Sequence, residues 1–146
     1  MTNELIFLAH IGVVCIAILL ALRHSYAALI AVISLQLIVA NLFVFKQIEL
    51  AFLTSTCGEI FTVGCMYGIG LIQQRYGEAA AKRAIIYSFL IQLFFLATAT
   101  MHGFYGLIKS TEMTSAFGLL FSATPRAVLA SLAAYVVSER VNLLLV

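Results

Sequence analysis

Two charged residues lie where charge is expensive. Glu59 sits in "TSTCGEIFTVGCMYGIG" (54–70) and Arg126 in "TPRAVLASLAAY" (124–135), each among apolar side chains. At membrane depth an ionised group costs several kcal/mol, so it faces a bundle interior or an aqueous cavity and is a functional candidate by default. Three readings stay open. One or both residues line a substrate cavity, or they form a pair that satisfies only itself, or Glu59 lies near the outer interface because its helix begins as late as Cys57. Gln36, Asn41 and Gln92 are uncharged amides inside apolar runs, suited either to hydrogen bonds between helices or to reading the edge of a ligand. Asn41 and Lys46 in "ANLFVFK" set an amide and an ammonium close together near one membrane face, although Lys46 alone would pass as a snorkelling lysine.

Soluble-type catalysis has no support. There is no Gly-rich nucleotide loop and no Ser/His/Asp arrangement, and His10, His24 and His102 are isolated. Cys15, Cys57 and Cys65 form no Cys-x-x-Cys pair, so they read as small buried hydrophobes. A non-enzyme with no cofactor and no metal is expected. The residues that must position these side chains are apolar: 64% of the chain is hydrophobic, 10% is charged, and mean hydropathy is +1.12. A soluble fold of 146 residues could not hide that much apolar surface, so the solvent is lipid. Within lipid only helices or closed barrels satisfy the backbone, and long unalternating apolar runs select helices. A net charge of +2, scattered along the chain, excludes a nucleic-acid partner.

The predicted architecture is an all-α polytopic membrane bundle of about five spans, read as one integral membrane domain over 1–146. The spans fall at 5–22, 26–45, 53–72, 84–101 and 117–138. The first lacks the basic leader of a signal peptide and is read as a membrane helix. A polar link, Gln73–Arg83, separates the third and fourth spans, with Gly77 placed to end a helix. Residues 102–115 read as an interfacial connection. Thr124-Pro125 either starts the main fifth helix or kinks a longer one. Arg23, Arg75, Lys82, Arg83 and Arg140 fall on one side, Lys46 and Lys109 on the other. The positive-inside rule then puts the C-terminus in the cytoplasm of a plasma (inner) membrane protein and the N-terminus outside. Gly64-x-x-x-Gly68 and the alanines at 123, 127, 130 and 134 are packing faces.

Between Leu29 and Asn142 the chain resembles the queuosine precursor transporter family of vitamin-uptake-transporter-like membrane proteins. The resemblance is carried by Ala40-Asn41-x-x-Val44-x-Lys46, by Glu49-Leu50, by Tyr76-Gly77-x-x-x-Ala81-x-x-Ala84 and by "PRAVLASLAAYVVSE" (125–139). It departs at Gly70, where the family often has an acidic or amide residue, at Gln74, where it often has Glu, and at Glu139 and Asn142, where the family has a Ser/Gly-Gln-x-x-Asp ending. Family members continue past the point matching Val146, so a short or C-terminally truncated member is expected. The resemblance implies import of 7-deazaguanines (preQ0, preQ1 or queuine) for tRNA modification. One carboxylate can accept the N–H and amino group of a guanine-like edge together. Glu59 is the candidate for that role, Asn41 and Gln36 would meet the carbonyl, and Phe43, Phe61 or Tyr67 would stack on the ring. Arg126 would hold Glu59 ionised and oriented, and Lys46 completes the set of expected substrate-binding residues. The expected partners are a purine-like small molecule and membrane lipid, with an energy-coupling ATPase module or further copies of the chain left open. Two alternatives remain: a substrate-binding subunit of an energy-coupling-factor-type vitamin importer, and a non-transporting membrane fragment.

Overall fold

A computed structural model describes residues 3–51 and 53–105, and beyond them residues 118–119, 121, 125–126, 128–130 and 133–134. The order of elements is α1 (Asn3–His24), α2 (Tyr26–Phe43), β1 (Gln47–Leu50), β2 (Leu53–Thr56), α3 (Glu59–Tyr76) and α4 (Glu78–His102). The chain divides into two compact units, Met1–Gln92 and Leu93–Val146. The first holds α1 to α3 and the start of α4. The second holds the end of α4 and helical pieces between 118 and 134.

Among the described residues three helices are long and apolar enough to cross a membrane: α1, α2 and α4, of 22, 18 and 25 residues. At 1.5 Å per residue the shortest is about 27 Å long, close to the roughly 30 Å of hydrocarbon. Their surfaces confirm the solvent. Leu8, Val13, Ile16 and Leu20 on α1 and Leu90 and Phe94 on α4 are all more than half exposed, which water would penalise and lipid does not.

A single residue, Ser25, turns α1 into α2. Its extended backbone (φ −170°, ψ 162°) breaks the helix, and its hydroxyl accepts the Ala28 N–H at 3.0 Å as an N-cap. At the other end of α2 the chain enters a β-hairpin, paired antiparallel from Gln47 opposite Thr56 to Leu50 opposite Leu53. The hairpin is tied to the start of α1, where Asn3 Nδ2 donates to the Glu49 carbonyl at 2.9 Å and the Ala51 N–H donates to Glu4 at 3.0 Å. The expected third span therefore changes at its start. Residues 53–56 are a strand, and the helix proper is Glu59–Tyr76. The Gln73–Arg83 link is also shorter than expected. α3 continues through Tyr76, Gly77 alone leaves the helix with φ +87°, and α4 begins at Glu78. A left-handed φ suits glycine because it has no Cβ. The Thr124 cap, Lys109, Arg140 and most of the 102–115 and 117–138 segments lie outside the described residues.

α3 packs along the whole of α2 in the opposite direction. A Cβ on Gly58 would meet the Ala40 carbonyl oxygen at 2.6 Å, and one on Gly68 would meet Ile33 at 2.8 Å. At the far end the Tyr76 ring lies 5.2 Å from that of Tyr26. Missing side chains thus let two backbones approach, which is how helices associate without a hydrophobic force between them. Gly64 and Gly68 hold the packing position that their spacing indicated. Val14, Ile18, Leu29, Ile33, Cys65 and Ile72 fill the space between α1, α2 and α3.

Candidate functional site

Glu59 stands where the hairpin meets α3. Its carboxylate accepts the Ser55 hydroxyl at 2.8 Å and the Thr56 backbone N–H at 3.3 Å. The second bond is the returning half of a capping box, with Thr56 and Glu59 at the Ser/Thr-x-x-Glu spacing. Gly58 already has helical angles (φ −73°, ψ −26°), so the turn at 57–58 is in effect the first of α3. A carboxylate here also faces the positive end of the helix dipole. Glu59 is exposed, at a helix mouth and not in mid-span. Its place at the start of α3 is the late helix start weighed for it, and it also lines the groove that opens there.

From that mouth a groove of about 380 Å³ runs between α1 and α3. Its walls are Phe7, Ile11, Val14 and Cys15 on α1 and Glu59, Ile60, Val63, Gly64 and Tyr67 on α3. The spacing of eight residues puts Tyr67 about 12 Å along the helix from Glu59. Small-molecule sites have this character: mostly apolar walls and a few placed polar groups.

Gln36 abuts the same groove through Gly64. A Cβ at Gly64 would lie 2.6 Å both from Gln36 Oε1 and from Val14. Gln36 is buried and its Oε1 is 3.9 Å from the Cys65 thiol, which also points at the Ile33 carbonyl at 3.5 Å. Asn41 is buried on α2 and its Nδ2 donates to the Leu37 carbonyl at 2.8 Å, one turn back on its own helix. Lys46 is exposed between α2 and β1, and its carbonyl accepts the Cys57 N–H at 2.9 Å. Phe61 stacks on Phe43 at 6.1 Å and takes the edge of His10 at 4.8 Å. Those two aromatics contact each other, whereas Tyr67 lines the groove. Arg126 lies on a helical piece of the second unit.

Glu59 and Tyr67 thus line one groove, Gln36 lies against its Gly64 wall, and Asn41 adjoins Ala40, against which Gly58 packs. Ser55 and Thr56, the partners of Glu59, were not foreseen, although the Thr56–Glu59 capping-box spacing was available to find them. Among the described residues no group of three or more His, Cys, Asp or Glu could hold a metal.

This fold and site define an integral membrane helix bundle that holds polar side chains between its helices. More particularly, the chain belongs to the family described as "Putative vitamin uptake transporter", whose model matches residues 56–146, more than half its length. It is similar to a "Probable queuosine precursor transporter" of Bacillus subtilis (strain 168), with 29% identity over 105 residues. That match covers 70% of this chain and 45% of the relative, so the chain spans less than half the length of the curated relative it matches. No solved structure matches.

Proposed function

We propose that the chain carries queuosine precursors, 7-deazaguanines such as preQ0, preQ1 or queuine, across the plasma membrane for tRNA modification, and acts by binding and release, not by catalysis. The carrying observation is the Glu59 carboxylate at the mouth of an apolar groove of about 380 Å³. It accepts two donors side by side, the Ser55 hydroxyl and the Thr56 N–H. The N–H and amino group of a guanine-like edge offer the same pair to the same two oxygens, so a ligand could displace the protein's own donors one for one. The similarity to a "Probable queuosine precursor transporter" supports that ligand class.

On this reading Glu59 receives the donor edge, Tyr67 stacks along the ring, and Gln36 and Asn41 flank the carbonyl side. Lys46 adds a positive charge on the exposed chain between α2 and the hairpin. The hairpin faces the outside, with the N-terminus, and the Gly77 turn faces the cytoplasm. The test is uptake of radiolabelled preQ1 or queuine in cells that lack their own carrier. Glu59→Gln retains the capping box, because glutamine serves it as well as glutamate does, and removes the charge. Uptake should fall tenfold or more, roughly the loss of one hydrogen bond to a charged group, with unchanged membrane insertion. Undiminished uptake removes Glu59 from the site, and absence of uptake by the unaltered chain removes carriage by this chain alone. Uptake restored only by an ATPase partner would make it a substrate-binding subunit.

A further inference from the structure

The two walls of the groove are joined at its mouth by the β-hairpin. At one end Ser55 and Thr56 of β2 donate to Glu59, which lines the groove on α3. At the other, Asn3 Nδ2 donates to the Glu49 carbonyl at 2.9 Å and the Ala51 N–H donates to Glu4 at 3.0 Å. Asn3 and Glu4 open α1 about one turn before Phe7, where the α1 wall begins. Widening the mouth between α1 and α3 therefore requires this bridge to part at one of its ends.

The α3 end is fixed by the chain itself. Only Cys57 and Gly58 separate β2 from α3, the Cys57 N–H donates to the Lys46 carbonyl at 2.9 Å, and the ladder runs on from Gln47 opposite Thr56. The α1 end has no such tie. Its two bonds join residues 46 and 47 positions apart in the chain, and both are exposed. An exposed hydrogen bond contributes little net, because water replaces it on opening. Ala51 also stands at φ +50°, the left-handed region where a Cβ is strained, so opening lets that turn relax. The tip is the end that parts at least cost.

We propose that Asn3 and Glu4 are positioning residues of this site, the latch of a gate formed by the hairpin, whose tip leaves α1 each time a ligand enters or leaves the groove. The proposal rests on the functional reading above and deepens it. Neither residue is among those that line the groove, so neither acts by touching the ligand. A latch that closes over the empty and the filled groove alike favours neither, and so changes rates and not affinity. Association and dissociation both pass through the open tip, and each scales with the fraction of time that the tip is open. One net hydrogen bond changes that fraction about fivefold.

The test follows preQ1 binding to the full chain in nanodiscs by surface plasmon resonance. Asn3→Ala and Glu4→Ala should each raise the association and dissociation rates about fivefold and leave Kd within about twofold. A merely structural role would speed dissociation alone and weaken binding. That result overturns the proposal, as do unchanged rates. Glu4→Gln keeps an acceptor oxygen for the Ala51 N–H and should keep the unaltered rates; rates as fast as those of Glu4→Ala overturn the latch. If the alanine variants do not insert, the near-isosteric Asn3→Asp carries the test against Glu4→Gln. Aspartate sets an oxygen against the Glu49 carbonyl and should speed both rates, and equal behaviour of the two variants overturns the assignment. Absence of preQ1 binding by the unaltered chain sinks the transport reading itself, and is thereby distinct from a failure confined to the latch.

Discussion

Glu59 joins two roles in one side chain, closing the first turn of α3 and offering two oxygens at the groove. Its present donors belong to the protein, so a ligand that uses the same oxygens competes with them. Ser55 is the stronger competitor by distance, at 2.8 Å against 3.3 Å for Thr56. Ser55→Ala removes it and leaves the capping-box bond in place. The affinity for preQ1 should rise about fivefold, on the order of 1 kcal/mol, a typical net hydrogen bond, as read by titration. Unchanged or weaker binding would show that the ligand does not exchange with this hydroxyl. The amides show how far single residues were legible. Gln36, Asn41 and Gln92 stood out as polar atoms in apolar runs. That Asn41 bonds back to its own helix while Gln92 Nε2 finds no partner among the described residues depends on which neighbours α2 and α4 present, and no residue type carries that.

Among the elements, α3 is defined by what its glycines touch. Gly58 faces a backbone carbonyl, which cannot step aside, whereas Gly68 faces the Ile33 side chain, which can, and Gly70 faces nothing within 4 Å. Gly58→Ala should therefore cost about 2–3 kcal/mol and Gly68→Ala about 1, the upper and lower reaches of overpacking. Gly70→Ala should be neutral or slightly stabilising, since alanine is the better helix former. Reversible unfolding in mixed micelles gives the order, and equal costs at 58 and 68 would contradict the close contact with Ala40. The helices themselves were legible because α1, α2 and α4 are long unbroken apolar runs, and Gly64-x-x-x-Gly68 marked the packing face of α3. The hairpin was not. Strands of four residues are too short to show alternation, and "LTST" joined smoothly onto the apolar run that follows it. Gly58 also escaped, because its approach to α2 follows no four-residue spacing.

For the whole molecule, the alternation of helix directions puts the hairpin on one face and the Gly77 turn on the other. Cys57 lies at the hairpin end and is half-buried, Cys65 is buried inside α3 and Cys15 lies within α1. On the proposed orientation, N-terminus outside, a membrane-impermeant maleimide should label Cys57 in intact cells. A cysteine placed by Lys82→Cys, in a residue 52% exposed, should label only after lysis. The reverse pattern would invert the topology that the basic residues imply. The composition of α3 has another consequence. With Glu59, two glutamines and Arg75 among its 18 residues, it is absent from the helices apolar enough to span a membrane by themselves. During synthesis it should therefore enter lipid alone less readily than α1, α2 or α4. Only Gly77 separates it from the more apolar α4, so the two should leave the translocon as one helical hairpin, and the backbone contacts of Gly58 with α2 can then close only after α4 has emerged from the ribosome.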